Sequence, residues 1–454
     1  MSLLRAARSR LGQITPSLLA RSVALNIAGQ VAVLLVGFAS SVALARGLGP
    51  ADRGLLGIMS SVVNVVLAVA GLGLPFAVAY YASRRKAKTD ELLGNNIAYA
   101  AVLALVFVPA FWLLHGSISD ALARGRGGLL WALAAVMVPL SFLNWTLNNQ
   151  LVGQLRFFAW NALGVLSKLV MLAGVVALVL VAGLGVKGGL AAMIAAELAL
   201  IVGPLAILLR NARPRFDRGL FRATTSYGLR VQVGTIFQIV NYRLDVIVAQ
   251  FFLPLRVVGY YVVAEFIAEL VVTVSSSFGT SILPLVSHYE GTEDQRATTI
   301  AAIRHHGVMA ALGTAVNAVF GPLLIFFAYG RSFHGAIVPM LILLPGMWFL
   351  GTGAVVGGAL RGRGRPGLAS TVAGVAVLFT VALDLALIPP FGITGAAVAS
   401  VIAYSILGLV SLATLSRVSG IPVRTLVVPT AADLRRYPAA IRSVFAPVGP
   451  SVES

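Results

Sequence analysis

The chain has 454 residues, of which 59% are hydrophobic and 11% charged, with a formal net charge of +19. This composition leaves no room for a sizeable soluble domain, and the absence of cysteine excludes disulfides and thiolate metal sites. The basic residues are spread over many short segments instead of clustering with aromatics, so a nucleic-acid partner is not expected.

Twelve apolar stretches follow one another along the chain, each with about 20 residues or more. A helix of that length crosses a hydrocarbon core about 30 Å thick. The sequence therefore predicts an all-α polytopic membrane protein, and the first stretch is too long to be a cleaved signal peptide. The predicted spans, numbered 1 to 12, are 22–45, 58–82, 92–114, 128–152, 158–182, 188–209, 227–252, 258–283, 306–329, 336–359, 367–388 and 395–416.

The basic residues predict the orientation in the membrane. Of the 34 Lys and Arg residues, 24 lie in the N-terminal segment, in every second gap and in the tail, whereas seven lie in the other gaps. By the positive-inside rule the first set marks the cytoplasmic side, so both termini are predicted to be cytoplasmic. Only four of the 34 are Lys, which is typical of a GC-rich bacterial genome, and we expect a bacterial plasma membrane.

An internal repeat divides the chain. Residues 186–208 align without gaps to 393–415, an offset of 207, and Gly54 corresponds to Gly259 at an offset of 205. Two six-helix halves enter the membrane in the same direction, so the axis that relates them runs along the membrane normal. A cleft between such halves can open to either side by rocking.

The repeat predicts three parts of the chain. An N-terminal lobe covers 1–215 and a C-terminal lobe covers 216–416. The basic segment 417–454 is expected on the cytoplasmic surface, where it can contact anionic membrane lipids.

Charged residues inside the spans need a reason, because each costs about 2.5–3.5 kcal/mol near the bilayer centre. Two lie near the middle of spans 5 and 6, and four lie in spans 7 and 8 at similar depth. They are Lys168, Glu197, Arg243, Asp245, Glu265 and Glu269. They predict either a functional cation-lined cavity or structural ion pairs, Lys168 with Glu197 and Arg243 with Glu269.

Span 7 carries two polar stripes. One holds Gln232, Arg243 and Gln250, and the other holds Gln238, Asn241 and Asp245. Both cannot face lipid, so we predict that Arg243 points into the cleft and that Asp245 points into its own bundle beside Glu265.

The other polar residues are interpreted from their positions along the spans, and the two asparagines of span 4 allow two interpretations. Asn144 and Asn148 form an amide strip that either faces sugars or makes interhelical hydrogen bonds. Arg230 is close enough to the cytoplasmic interface to extend into it, and Asp384 is expected at the outer interface. His305 and His306 are expected to be solvated.

Four segments resemble a known family. They are ARGLGPADRG (45–54), LVGQLRF (151–157), YRLDVIVAQFF (242–252) and VGYYVVA (258–264). They are similar to stretches of the Wzx-like polysaccharide flippases, in the multidrug/oligosaccharidyl-lipid/polysaccharide (MOP) exporter superfamily. The resemblance implies a non-enzymatic transporter that moves undecaprenyl-pyrophosphate-linked oligosaccharide to the outer leaflet by alternating access, for surface polysaccharide or lipopolysaccharide biosynthesis. It implies no cofactor, an option of H⁺ or Na⁺ coupling, and polymerase and glycosyltransferase partners.

The resemblance and the buried charges together give the predicted site. Lys168, Arg243 and Arg46 are expected to hold the phosphates, with Arg230, Asn144 and Asn148 completing the substrate-binding set. Asp245, Glu265, Glu269 and Glu197 are expected to couple an ion or tune the cations. Arg53 stands where many relatives have an acidic or neutral residue and receives no role.

Three alternatives stay open. The first is a cation-coupled multidrug exporter of the same superfamily, although the acidic residue that some such relatives carry in helix 1 is missing from span 1. The second is a major-facilitator transporter, which shares the six-plus-six plan. The third is an integral-membrane glycosyltransferase or polymerase, which would need a large outer loop or acidic metal ligands.

Overall fold

The computed structural model describes residues 16–84, 86–154, 156–272, 293–363 and 365–430, and the regular structure within them is helical. Residues 273–283 of span 8 and residues 431–454 of the predicted tail lie outside this part of the chain. The α-helices are α1 Pro16–Ala70, α2 Leu74–Ser83, α3 Thr89–Ala123, α4 Leu130–Ala135, α5 Met137–Gly153, α6 Phe157–Gly174, α7 Gly185–Leu208, α8 Arg218–Phe252, α9 Leu255–Ala268, α10 Glu293–Leu323, α11 Ile337–Gly362, α12 Pro366–Ser419 and α13 Val423–Val427. Two π-helical turns, Val175–Val181 and Leu324–Tyr329, extend α6 and α10.

Eight stretches among the described residues are long and apolar enough to cross a membrane. One of them, Gly29–Ala70, overlaps predicted spans 1 and 2, and another, Gly367–Ser419, contains predicted spans 11 and 12. Large apolar side chains cover their outer faces, for example Leu105 at 76% exposure and Val181 at 80%. Because such side chains are stable against lipid and not against water, the chain is a multi-pass integral membrane protein.

Glycine kinks divide the two longest helices. α1 bends at Gly49, which has φ +72° and is followed by Pro50. α12 bends at Gly392, which has φ +62° and follows Pro389 and Pro390. Both backbones have the positive φ that glycine adopts without strain, and each of the three prolines lacks a backbone donor. The bend in α1 lies between predicted spans 1 and 2, and the bend in α12 lies between predicted spans 11 and 12.

The second kink corrects the prediction for Asp384. Span 11 was expected to end at residue 388, but α12 continues through both prolines to the bend at Gly392. Asp384 consequently lies within the packed helix and is 0% exposed, instead of at the outer interface.

The two halves of the chain touch at both ends of α1's second limb. Near its start, Gly54 packs on the backbone of Leu255 and Gly259 in α9. Near its end, the turn at Gly73 packs on the backbone of Gly228 in α8. The absence of side chains lets the backbones meet, and the space enclosed between these two contacts is the central cavity.

The start of the predicted tail is packed against the bundle. α12 runs on to Ser419, and Leu426 of α13 is fully buried. Arg304 Nε donates to the carbonyl of Thr425 at 2.9 Å. His306, which was expected to be solvated, is 1% exposed, and its Nε2 lies 3.1 Å from Thr352 Oγ1.

Candidate functional site

A cavity of about 230 Å³ lies between the two halves. It is lined from α1, α6 and α7 on one side and from α8 and α9 on the other. The lining residues are Gly37, Ser40, Ser41, Leu44, Arg53, Leu56, Gly57, Ser60, Ser61, Asn64, Lys168, Met171, Met193, Arg243, Val246, Val262, Glu265, Phe266 and Glu269. The charged members are three cations and two carboxylates, so the lining is positive overall.

Arg243 faces the cavity, as the sequence predicts, but two carboxylates hold it. Its Nη1 lies 3.2 Å from Glu265 Oε1 and 3.5 Å from Glu269 Oε1. The prediction that Glu265 accompanies Asp245 was wrong, since Glu265 belongs to this ion pair. The Glu265 side chain is 4% exposed, so without Arg243 it would be a buried carboxylate lacking its counter-charge.

Lys168 comes from α6 and is exposed at the cavity wall. It runs past Gly37 of α1, where an added Cβ would lie 3.9 Å from Lys168 Cδ. The alternative ion pair with Glu197 is not formed, because none of the ion pairs within 4.0 Å in the described segments contains Lys168. Lys168 is therefore a cation available to an anion in the cavity.

Glu197 is bound within the N-terminal half. Its Oε2 accepts a hydrogen bond of 2.6 Å from Asn144 Nδ2, and Asn148 Nδ2 donates to the carbonyl of Leu200 at 3.1 Å. These contacts join α5 to α7. The two asparagines and Glu197 lie outside the cavity lining, so the interhelical interpretation of the amide strip is the one the structure supports, and their predicted substrate and coupling roles are not.

Arg53, which sequence reasoning left without a role, lies in the cavity wall. Its Nε is buried and has no hydrogen-bond partner. The acidic neighbour Asp52 is engaged elsewhere, at 2.6 Å from Arg126 Nη2. The only sequence signal was a positive charge directly after the Gly49–Pro50 turn, and the side-chain direction depends on that turn.

The other two predicted cations lie outside the cavity lining. Arg46 donates from Nε to the carbonyl of Ala328 at 2.5 Å and from Nη2 to that of Phe327 at 2.6 Å. It thus connects α1 to the end of α10 in the other half. Arg230 is exposed and donates to the Ser226 carbonyl of its own helix at 3.2 Å.

Hydroxyl and amide groups line the α1 side of the cavity. Ser40 Oγ donates to the Val36 carbonyl at 2.8 Å, and Ser60 Oγ donates to the Leu56 carbonyl at 2.9 Å. Asn64 Nδ2 likewise donates to the Ser60 carbonyl at 2.9 Å. The serine hydroxyl protons are used on the helix backbone, so lone pairs of the serine oxygens and of Asn64 Oδ1 stay available, and they suit the hydroxyl donors of a sugar.

The second stripe of α8 points into the C-terminal half, as the sequence predicts. Asp245 accepts from Tyr261 Oη at 2.6 Å and from Ser400 Oγ at 3.1 Å. Asn241 Oδ1 accepts from Thr380 Oγ1 at 2.5 Å. Asp384 lies within electrostatic range of Asp245, and both its carboxylate oxygens are buried without a hydrogen-bond partner.

The fold is that of MOP-superfamily transporters. The structure superposes on the lipid II flippase MurJ in its inward closed conformation with a TM-score of 0.71, covering 93% of this chain and 91% of that one at 15% identity. An inward-facing multidrug resistance MATE family transporter gives a TM-score of 0.70, with 87% and 99% covered at 14% identity. An outward-facing MATE transporter gives 0.64.

Sequence comparison then places the chain in a family. Residues 19–290 match the family described as polysaccharide biosynthesis protein, and the chain belongs to that family. A similar protein is the probable low-salt glycan biosynthesis flippase Agl15 of Haloferax volcanii, 22% identical over 80% of this chain and 76% of its own length. Another is the uncharacterized membrane protein MJ1068 of Methanocaldococcus jannaschii, 26% identical over 42% of this chain and 39% of that protein.

Proposed function

We propose that this protein moves a lipid-linked oligosaccharide from the cytoplasmic to the outer leaflet of the plasma membrane by alternating access. The observation that carries the proposal is the cavity between the halves, in which Lys168 and Arg53 present positive charge and take part in none of the ion pairs within 4.0 Å that the described residues form. A charged and sugar-bearing head group cannot cross hydrocarbon unaided, because each unsatisfied polar group costs several kcal/mol there. The family and the similarity to a probable glycan flippase support a glycan-lipid substrate.

The groups that line the cavity match two parts of such a substrate, its phosphates and its first sugar. The cations suit a phosphate or pyrophosphate, which accepts charge-assisted hydrogen bonds. The oxygens of Ser40, Ser60 and Asn64 suit the first sugar. A volume of about 230 Å³ holds these parts only, so the remaining sugars lie outside it and the polyprenyl chain stays in lipid.

The contacts at the predicted outer side close the cavity there, and the contact of Gly73 on Gly228 closes it at the opposite end. Arg46 bonds α10 across the lobe boundary, and Tyr329 Oη donates to Ser41 Oγ at 2.9 Å. These contacts, with that of Gly54 on Gly259, must separate before the substrate can leave on that side.

We also propose that the Asp245 and Asp384 carboxylates take up the coupling ion, H⁺ or Na⁺. Both are buried at membrane depth, and no ion pair within 4.0 Å in the described residues includes either. A carboxylate in this environment needs a bound proton or cation to offset its desolvation. Asp245 extends from the same helix as Arg243, so ion binding in the C-terminal half can move the cavity wall.

The proposal is tested by deleting the gene in its own host. We expect loss of a surface glycan, accumulation of the lipid-linked precursor and unchanged drug susceptibility, with rescue by the plasmid-borne gene. Normal surface glycan together with increased drug susceptibility would favour the multidrug exporter instead.

A further inference from the structure

The charge distribution in the cavity wall is asymmetric between its two arginines. Arg243 is bound to two carboxylates, at 3.2 and 3.5 Å. Arg53 takes part in none of the ion pairs within 4.0 Å that the described residues form, and its Nε is buried without a hydrogen-bond partner. The two guanidinium groups therefore differ in their capacity to take an additional anion.

The position of Arg53 in α1 adds to the cost of its charge. The second limb of α1 starts after the kink at Gly49, which places Arg53 at the end of its first turn. Positive charge is unfavourable at a helix N-terminus because the backbone N–H dipoles there are already positive. The neighbour that could offset the charge, Asp52, is held by Arg126 on the surface at 2.6 Å.

We infer that Arg53, together with Lys168, forms an anion subsite of the cavity that binds a phosphate group of the substrate, whereas Arg243 is reserved by its glutamates. Binding of a phosphate there offsets both costs, the buried Nε without a hydrogen-bond partner and the cation near a helix N-terminus. This inference rests on the proposed function for the identity of the substrate. The presence of the anion site is inferred independently of the proposed function.

The subsite adjoins the contact that closes the predicted outer side. Gly54 follows Arg53 directly and packs on the backbone of Leu255 and Gly259. Glu265 and Tyr329, on two other helices of the opposite half, are within electrostatic range of Arg53. An anion on Arg53 therefore lies between the halves at the point where they must separate.

Binding by the purified full-length protein tests this inference. The probes are inorganic pyrophosphate and farnesyl diphosphate, with phosphatidylglycerol as a single-phosphate lipid, and the readout is the probe-dependent rise in melting temperature. We expect both diphosphates to stabilise the wild type more than phosphatidylglycerol does. Arg53→Gln should weaken their apparent affinity at least ten-fold, Arg53→Lys should weaken it less, and Arg331→Gln, an exposed arginine outside the cavity, should leave it unchanged.

Several outcomes overturn the subsite. They are unchanged affinity in Arg53→Gln, an equal loss in Arg331→Gln, absence of diphosphate binding by the wild type, or equal protection by phosphatidylglycerol. The melting temperature without probe shows whether each variant is folded, and Arg53→Lys retains the charge if Arg53→Gln is not. If diphosphates bind through Arg53 but deletion of the gene leaves surface glycan normal, the anion site stands and the proposed function fails.

Discussion

Gly54 and Gly259 face each other across the boundary between the two halves in a reciprocal contact. A Cβ added to Gly54 would overlap the Leu255 carbonyl oxygen, four residues before Gly259, and one added to Gly259 would overlap the Pro50 carbonyl oxygen, four residues before Gly54. The distances to the facing backbone nitrogens are also alike, at 2.9 and 3.1 Å. A two-fold relation between the halves requires this reciprocity, and the internal alignment pairs the same two glycines.

Alanine at Gly54 or Gly259 should therefore force the start of α1's second limb away from α9. The obstacle is backbone on both sides, which cannot yield as a side chain does, so we expect the state with a closed outer side to be destabilised by at least the roughly 1–3 kcal/mol typical of overpacking. Because the chain has no cysteine, a single cysteine at Ser41 can report access from the outer side without background labelling. Labelling should increase in both alanine variants and stay unchanged in Gly116→Ala, where nothing lies within 4 Å of the added atom.

Arg46 should also stabilise the closed outer side. The carbonyls it binds, those of Phe327 and Ala328, lie in the last turn of the π-helical segment, where carbonyls lack helical partners and attract a cation. In Arg46→Gln we expect the state with a closed outer side to lose about 1 kcal/mol of stability relative to the outward-open state. This corresponds to about a five-fold population shift towards outward-open. Outer-side labelling of the cysteine at Ser41 measures this shift. Arg256→Gln is the control, since Arg256 donates to Tyr260 of its own helix and, among the described residues, to no group of the other half. Equal labelling in the two variants would contradict the role.

Removal of Arg243 should lower stability as well as transport. It leaves Glu265 buried without a counter-charge, and breaking a buried pair in this way typically costs about 3–5 kcal/mol. We expect less than that here, because the Arg243 side chain is 32% exposed. Thermal unfolding in detergent should show a lower melting temperature for Arg243→Gln and a recovered one when Glu265→Gln is added. A single variant as stable as the wild type would show that the ion pair does not hold α8 to α9.

The spacing of charges in the sequence predicts which residues lie at membrane depth and which of them share a face of a helix. Arg243 and Asp245, two residues apart on one helix, face different environments because a helix turns about 100° per residue. Lys168 is also exposed at the cavity wall, where its depth in span 5 would place it. These features depend on local periodicity, which a sequence carries.

The misjudged residues depend on backbone geometry instead. Asp384 was placed at the interface because it lies close to the predicted end of span 11 at residue 388, yet α12 continues to Gly392. Arg53 is one of the seven basic residues that the sequence places in the gaps on the outer side, yet the turn at Gly49 and Pro50 directs its side chain to the cavity. Asn144 offers the same amide group to a sugar or to Glu197, and only the packing of α5 on α7 selects between them.

Coupling through the C-terminal half should depend on Asp384. In proteoliposomes with opposed Na⁺ or pH gradients, we expect Asp384→Asn and Asp245→Asn to remove the response to the gradient, because neither amide can take up the ion. Asp120→Asn, at a site on α3 outside this cluster, should respond as the wild type does. Gradient-driven transport that persists in both cluster variants would show that the ion acts elsewhere.

The most direct measurement of the central claim is transbilayer movement of a fluorescent prenyl-pyrophosphate disaccharide in proteoliposomes, followed by the fraction accessible to an added glycosidase. Wild-type protein should increase the rate above that of empty liposomes. Lys168→Gln should reduce it about ten-fold or more by removing a cation from the cavity, and Lys187→Gln, an exposed lysine outside the cavity lining, should leave it unchanged. An unchanged rate in Lys168→Gln, or no movement with the wild type, would contradict transport of the head group through this cavity.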